Sequence, residues 1–102
     1  MSKGPIELSI INNLNENMHI FSLKIINESF MHNVPIDAES HFKLIVVSND
    51  FNNLSTIKRH KLIYKNLANI MNKIHALSIH AFNEDEFRKN PLIIDSPECA
   101  NK

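Results

Sequence analysis

The chain has 102 residues, with eleven basic and eleven acidic side chains. This length allows one compact core and excludes two independent domains, which usually need about 100 residues each. Because the charges balance, no global field draws the protein onto nucleic acid or an anionic membrane, so any basic surface has to be local. A hydrophobic fraction of 43% is typical of a globular domain and argues against disorder.

The first third of the chain predicts a helix followed by a strand. Residues 5–14 begin with a proline suited to a first helical turn and place an apolar side chain at every fourth position. Residues 18–26 alternate in polarity, as a half-buried strand does. We expect the buried side of this strand to carry Phe21, Leu23 and Ile25.

A second alternating strand is predicted over residues 42–47, after a long connection at residues 27–41. Fifteen residues are more than a hairpin loop needs. Unusually long loops more often carry function than act as filler, so this loop is a candidate functional segment.

The second half of the chain predicts a helix, a strand and a short last helix. Ser55 can cap a helix that runs to about Lys73 and repeats its apolar residues at helical spacing. Residues 76–82 have the pattern of a third strand, and residues 83–90 that of a short helix. Residues 91–102 lack periodicity and are expected to form a flexible C-terminal tail.

These elements give the order αββαβα, which predicts an α+β fold with a three-stranded sheet and helices packed on one face. The same order describes a KH-like (class II) domain. A nucleic-acid-binding KH module clamps its ligand with a GXXG loop, and this chain has Gly4 as its only glycine. We therefore expect the fold without that mode of binding.

The sequence lacks the motifs of common catalytic sites: it has no glycine-rich phosphate loop, nucleophile elbow or HExxH helix. Its one cysteine, Cys99, lies on the predicted tail, which excludes an intrachain disulfide and an all-cysteine metal site. We expect a protein that acts by binding and is not an enzyme. No apolar leader follows Lys3 and no stretch approaches the ~20 apolar residues of a spanning helix, so we expect a cytoplasmic protein without a membrane partner.

Two histidines are candidate metal ligands. His32 lies in the middle of the long loop, and His75 lies at the junction of the long helix and the third strand. Two histidines on different elements can meet across a cleft and bind a metal, although each also fits an ordinary surface role. His60 lies near the apolar side of the helix and is expected to be partly buried.

The same helix carries the basic residues Lys58, Arg59, Lys61 and Lys65. At 100° per residue, the three lysines share one exposed stripe. Such a stripe can bind phosphate, and it can equally be a solvated helix face.

Four ordered runs of the sequence resemble the BolA family, over residues 6–89. They are the loop run at 27–35, the strand run at 39–48, the helix run at 58–68, and Ile-His-Ala-Leu-Ser-Ile at 74–79. The spacing of the four runs makes the resemblance specific. It implies a BolA-like domain over residues 1–90 with a KH-like fold that lacks GXXG.

The resemblance also implies a partner and a cofactor, since many members pair with CGFS-type monothiol glutaredoxins around a shared [2Fe–2S] cluster. In those complexes the BolA side supplies the histidine of the Ile-His-Ala-Leu run and a histidine or cysteine of the loop, which here are His75 and His32. The partner's cysteine and glutathione supply the remaining ligands, and His60, in the Arg-His-Lys run, is the reserve ligand. We therefore expect a monomer without cofactor when isolated and a heterodimer with its partner.

Two other roles remain open. Bacterial members are described as DNA-binding transcriptional regulators of stress response and cell morphology, which would use the basic helix with Lys58, Arg59, Lys61 and Lys65. An unrelated protein-binding scaffold with a KH-like fold would show neither behaviour. Phe87 stands where many members carry tryptophan, a conservative core change that should leave the site intact. The tail only partly follows the pattern of some members, so a role for Cys99 is not implied.

Overall fold

The computed structural model describes residues 4–29 and 39–90. Its helices are α1 (Pro5–Asn17), α2 (Thr56–Asn66), α3 (Ala68–Met71) and α4 (Glu84–Lys89), and its strands are β1 (Ile20–Asn27), β2 (His41–Ser48) and β3 (Ala76–Phe82). A 3-10 turn at Asn49–Phe51 links β2 to the α2 region. The predicted order of helices and strands is confirmed. In these two ranges, every helix is too short or too polar to cross a membrane.

The three strands form one sheet in the order β1-β2-β3. The central strand β2 pairs antiparallel with β1 and parallel with β3. Leu44 of β2 lies between Ile25 on one side and Ile79 on the other, so these three apolar residues share one face of the sheet. The predicted α+β class is confirmed.

The hydrophobic core lies between this face of the sheet and the helices α1, α2 and α3. Every second residue of β2 contributes to it, as the strand pattern predicted. Burying each large apolar side chain contributes about 1.5–3 kcal/mol to stability. The core residues of the described chain are Ile10, Leu14, Met18, Phe42, Leu44, Val46, Phe51, Ile63, Leu67, Ile70 and Ile79.

The prediction for Phe21 is wrong. The pairing of β1 with β2 shifts between Ile20 and Ser22, which makes Phe21 the extra residue of a β-bulge. Its side chain is 53% exposed and lies against the ring of Phe87 in α4, with ring centres 5.9 Å apart. Ile20 packs against the core in its place.

The long helix predicted over residues 55–73 is interrupted at Leu67. The backbone there has φ −112° and ψ 14°, and its N–H is shared between the carbonyls of Ile63 and Tyr64. α2 therefore ends at Asn66 and α3 begins one residue later. The turn keeps Leu67 fully buried, so this residue still packs in the core although the helix is interrupted.

The N-terminus of α1 is capped from a distant part of the chain. Pro5 takes the first helical position, and Gly4 at the N-cap offers no side-chain acceptor. The carboxylate of Glu39 instead accepts the N–H groups of Ile6 at 3.3 Å and Glu7 at 2.9 Å. The chain just before β2 is thereby fixed to α1.

Candidate metal-binding site

Two serines hold together the ends of the long loop. The Ser29 hydroxyl is buried, with 1% exposure, and accepts the N–H of Ser40 at 3.0 Å and of His41 at 3.1 Å. The Ser40 hydroxyl donates to the same oxygen at 3.3 Å. One residue earlier, the N–H of Glu28 donates to the His41 carbonyl at 2.8 Å. The residues on either side of the loop are therefore joined at one end of the sheet, where β1 ends and β2 begins.

His75 is fixed at this same point by its backbone. The N–H groups of His75 and Ala76 both donate to the Ser40 carbonyl, at 2.8 Å and 3.1 Å. His75 itself is exposed and directly precedes β3. Its backbone is therefore ordered while its side chain is accessible from solvent.

The structure adds His41, which was not among the predicted ligands. Its ring centre lies 5.0 Å from that of His75, with the ring planes inclined at 42°. Its Nδ1 lies 2.8 Å from the Ser40 hydroxyl. Ser40 thus contacts both histidines, one through its side chain and the other through its carbonyl.

His32, the predicted second ligand, lies outside the described residues, as do Cys99 and the predicted tail at 91–102. The assignment of His32 therefore stays a prediction. In the sequence it follows Ser29, one half of the serine clamp formed by Ser29 and Ser40, by three residues.

His60 lies near the opposite end of β3 from His75. It is close enough to His80 to help lower the pKa of that side chain. His80 is five residues along β3 from His75, a distance of about 16 Å at the usual rise of a strand. Within the described ranges, no three histidine, cysteine or acidic side chains are grouped to hold a metal by themselves.

The basic residues of α2 differ in their exposure to solvent. Lys58, Lys61 and Lys65 are all exposed on α2, as the stripe predicted. Arg59, which was predicted to bind nucleic acid with them, is buried, with a residue exposure of only 9%. Arg59 lies four residues before the core residue Ile63, and residues four apart share one face of a helix.

The Arg59 guanidinium makes three interactions inside the protein. Its Nε donates to the Leu54 carbonyl at 3.0 Å, and Nη1 donates to the Ala81 carbonyl at 3.1 Å. Nη1 also lies 2.6 Å from the Glu86 carboxylate. Arg59 therefore joins α2 to β3 and α4 and is not available to phosphate.

Comparison with known proteins agrees with this fold. A family model described as BolA-like protein matches residues 14–86. A BolA-like protein of Dictyostelium discoideum is 46% identical over 94% of this chain and 91% of its own length. The DNA-binding transcriptional regulator BolA of Vibrio cholerae is 48% identical over 76% of this chain and 74% of its own length.

A solved structure agrees as well. The solution structure of the BolA1 protein from Mus musculus has a TM-score of 0.83 and 35% sequence identity, and the match covers 97% of this chain and 81% of that one. A family match across most of the chain, relatives above 30% identity and a shared fold lead to one conclusion. The chain belongs to the BolA family.

Proposed function

We propose that this protein pairs with a CGFS-type monothiol glutaredoxin and supplies imidazole ligands to a labile [2Fe–2S] cluster shared between the two, in iron–sulfur trafficking or iron sensing. The observation that carries the proposal is the placement of His75. Its side chain is exposed, and its backbone is held by Ser40 beside the closed base of the loop that contains His32. The protein acts by binding, without a catalytic step.

The side chains of this site could supply some of the ligands of such a cluster, but not all of them. This supports a cluster that is shared with a partner. Iron in [2Fe–2S] centres normally takes thiolates, and two histidines replace two of them in Rieske centres. The described residues offer imidazoles here without a group of three ligands. A partner's cysteine and the thiol of glutathione would complete the four positions.

His75 and His32 are the proposed ligands, and His60 is left out of the proposal because it lies near the opposite end of β3 from His75. Imidazole has to be neutral to bind a metal, so cluster binding weakens as the pH falls through the range where a histidine titrates. A cluster held in this way is easily given up. Easy loss suits transfer or sensing better than permanent electron transport.

Anaerobic reconstitution tests the proposal directly. The wild-type chain, mixed with a monothiol glutaredoxin, glutathione and ferrous iron with sulfide, should give a heterodimer with visible cluster absorption. His75→Ala should change that spectrum, and His32→Ala should change it as well. The matched control is His19→Ala, because the His19 side chain is 96% exposed and lies beside Asp50 just beyond the far end of β2.

A variant can lose the spectrum because it lacks a ligand or because it no longer forms the complex. Measuring complex formation in the absence of the cluster separates these two causes. If His75→Ala still forms the heterodimer but its cluster spectrum changes, His75 is a ligand. An unchanged spectrum in His75→Ala removes it from the ligand set. Failure of the wild-type chain to form any complex with glutaredoxins overturns the proposal as a whole.

A second function, DNA binding, is favoured by the exposed stripe on α2. Lys58, Lys61 and Lys65 present three positive charges on one accessible helix face. The Vibrio cholerae relative is named as a DNA-binding transcriptional regulator. With zero formal net charge, this chain would depend on that local stripe for any attraction to phosphate.

A matched pair of charge reversals tests this second function. Lys61→Glu with Lys65→Glu should weaken binding to promoter DNA and reduce its salt dependence, since each lost phosphate contact lowers the slope by about 0.9. Lys73→Glu with Lys89→Glu changes the net charge equally at exposed positions elsewhere and should have little effect. Equal losses in the two double variants would show that net charge determines DNA binding and that the stripe on α2 has no special role.

A further inference from the structure

We propose that α2 binds single-stranded nucleic acid in preference to a duplex, with Tyr64 stacking on a base. The inference rests on the second proposed function, DNA binding by α2, and adds the kind of strand that this helix binds. It depends on a surface that is basic on one side and apolar on the other. We refer to this surface as the mixed face of α2, and it consists of Ile57, Lys58, Lys61, Tyr64 and Lys65.

Lys61 lies at the centre of the mixed face. Residues three and four apart are neighbours on a helix surface. The four such neighbours of Lys61 are Ile57, Lys58, Tyr64 and Lys65, and all of them are exposed. At about 100° per residue, Ile57 and Tyr64 fall on one side of Lys61, whereas Lys58 and Lys65 fall on the other. The mixed face therefore has an apolar side and a basic side.

The apolar side is accessible to a ligand. In the described part of the chain four large apolar side chains are exposed, and two of them are Ile57 at 68% and Tyr64 at 41%. They are two turns apart, about 10 Å along the helix axis, and the aliphatic stem of Lys61 lies between them. Single exposed apolar residues are ordinary, but these side chains form a row beside the lysines.

The basic side calls for an anionic ligand. Residues 51–83 contain no aspartate or glutamate, so α2 has no acidic side chain of its own to balance the lysines. The carboxylate of Glu86, which approaches the helix from α4, is bound to Arg59. Since the whole chain has zero formal net charge, the positive charge here is a local feature that complements phosphate.

A single strand matches both sides of the mixed face at once. Its phosphates can lie along the basic side while its unstacked bases lie on the apolar side, where the Tyr64 ring offers a stacking surface. In a duplex the bases are stacked on one another, so a protein meets mainly phosphates and base edges. A duplex would use the lysines and leave Ile57 and Tyr64 without an apolar partner.

The fluorescence of the chain tests the proposal directly. The sequence has one tyrosine and no tryptophan, so the intrinsic emission of the wild-type chain comes from Tyr64. A short oligothymidylate should quench this emission, and the quenching should saturate together with the anisotropy of the same oligonucleotide carrying a dye. A duplex of the same length should bind more weakly and quench less. Oligouridylate of equal length shows whether the mixed face prefers DNA or RNA.

Variants at Tyr64 separate stacking from charge. Tyr64→Leu should lower the affinity for oligothymidylate about fivefold or more, the effect of one lost stacked base, and should leave duplex binding unchanged. Tyr64→Phe keeps an aromatic ring and should bind close to wild type. Phe21→Leu is the matched control, because Phe21 is an exposed aromatic residue on β1, at 53%, and its loss should not change binding.

The possible failures can be told apart. Quenching is read on the wild-type chain, so the test remains valid if a variant folds poorly. Unchanged single-strand affinity in a folded Tyr64→Leu chain overturns the proposal. Duplex binding as tight as single-strand binding also overturns it, but DNA binding by α2 then stands. If the wild-type chain binds neither form, this inference and the second proposed function both fail.

Discussion

The Arg59 guanidinium and the Glu86 carboxylate lie 2.6 Å apart and join α2 to α4. Glu86 also caps its own helix: its N–H donates to the Asn83 side chain at 2.9 Å, and its carboxylate accepts the N–H of Asn83 at 2.8 Å. One carboxylate therefore closes the start of α4 and binds the buried end of Arg59. The first two predictions test this pair.

Arg59→Ala should destabilise the fold by about 2 kcal/mol. The change leaves the carbonyls of Leu54 and Ala81 without their donor, and an unsatisfied buried polar group costs about 1–3 kcal/mol. Urea unfolding followed by circular dichroism measures the difference. Lys61→Ala, on the exposed face of the same helix, should stay within about 0.5 kcal/mol of wild type. Similar losses in the two variants would contradict the internal role of Arg59.

Glu86→Gln should reduce the loss of stability in acid. The hydrogen bond from Arg59 holds the pKa of Glu86 below its usual 4.5, against a smaller opposing effect of burial. As the pH falls, the unfolded chain takes up this proton before the folded chain does, so the contribution is present above the unfolded pKa and is lost as the pH falls through the folded pKa. Unfolding free energies at about pH 6 and about pH 3 should therefore differ less in Glu86→Gln than in wild type. An equal difference would contradict the assignment.

The helices and strands could be predicted because their periodicity is strong. The phase of β1 could not be predicted in full, since the bulge at Phe21 follows from how β1 pairs with β2 and not from the local alternation. The break at Leu67 could not be predicted from the apolar repeat, which continues through it at Ile63, Leu67 and Ile70. The only local signal is Asn66 and Asn69, which are weaker helix formers than their neighbours.

The residues of the candidate site could also be predicted only in part. His75 could be predicted from its run, but His41 could not, because its closeness to His75 depends on the parallel pairing of β2 with β3. The sequence does not state which strands pair or in which direction. For Arg59 the sequence does carry a signal, because four residues separate it from Ile63, a core residue of the same helix.

Ser29→Ala should destabilise the protein. The Ser29 oxygen accepts the N–H groups of Ser40 and His41 in a buried position, and losing it costs about 1–3 kcal/mol. Urea unfolding measures the loss. Ser9→Ala, at an exposed position of α1, should leave the stability unchanged, and a Ser29→Ala chain with unchanged stability would contradict the role of the clamp.

Glu39→Ala should cost about 1 kcal/mol through loss of a helix cap. The Glu39 carboxylate accepts the N–H groups of Ile6 and Glu7, and the N-cap residue Gly4 makes no side-chain cap of its own. Thermal unfolding measures the loss. Glu16→Ala, at an exposed position near the other end of α1, removes the same charge without a cap and is the control. A larger loss in Glu16→Ala than in Glu39→Ala would contradict the capping role.

His80 should titrate below its usual pKa of 6.5. Burial is the largest cause, and the charges of Lys43 and His60 add to it, while Glu28 acts in the opposite direction. Because its pKa is lower in the folded state, the unfolded chain binds this proton first, so stability falls as the pH decreases through about 6.5 toward the folded pKa. His80→Gln should therefore lose less stability between about pH 7.5 and about pH 5.5 than wild type does.

The ring signals of His80 give the direct measurement, with a titration midpoint expected below 6.5. Glu28→Gln removes a charge that favours the protonated ring, so the midpoint should move further down. Lys43→Met removes an opposing charge, so the midpoint should move up. These opposite shifts separate the electrostatic contributions from burial, which both variants leave in place. A midpoint above 6.5 in the wild-type chain would contradict the lowered pKa of His80. Shifts of the same sign in the two variants would contradict the assigned effects of Glu28 and Lys43.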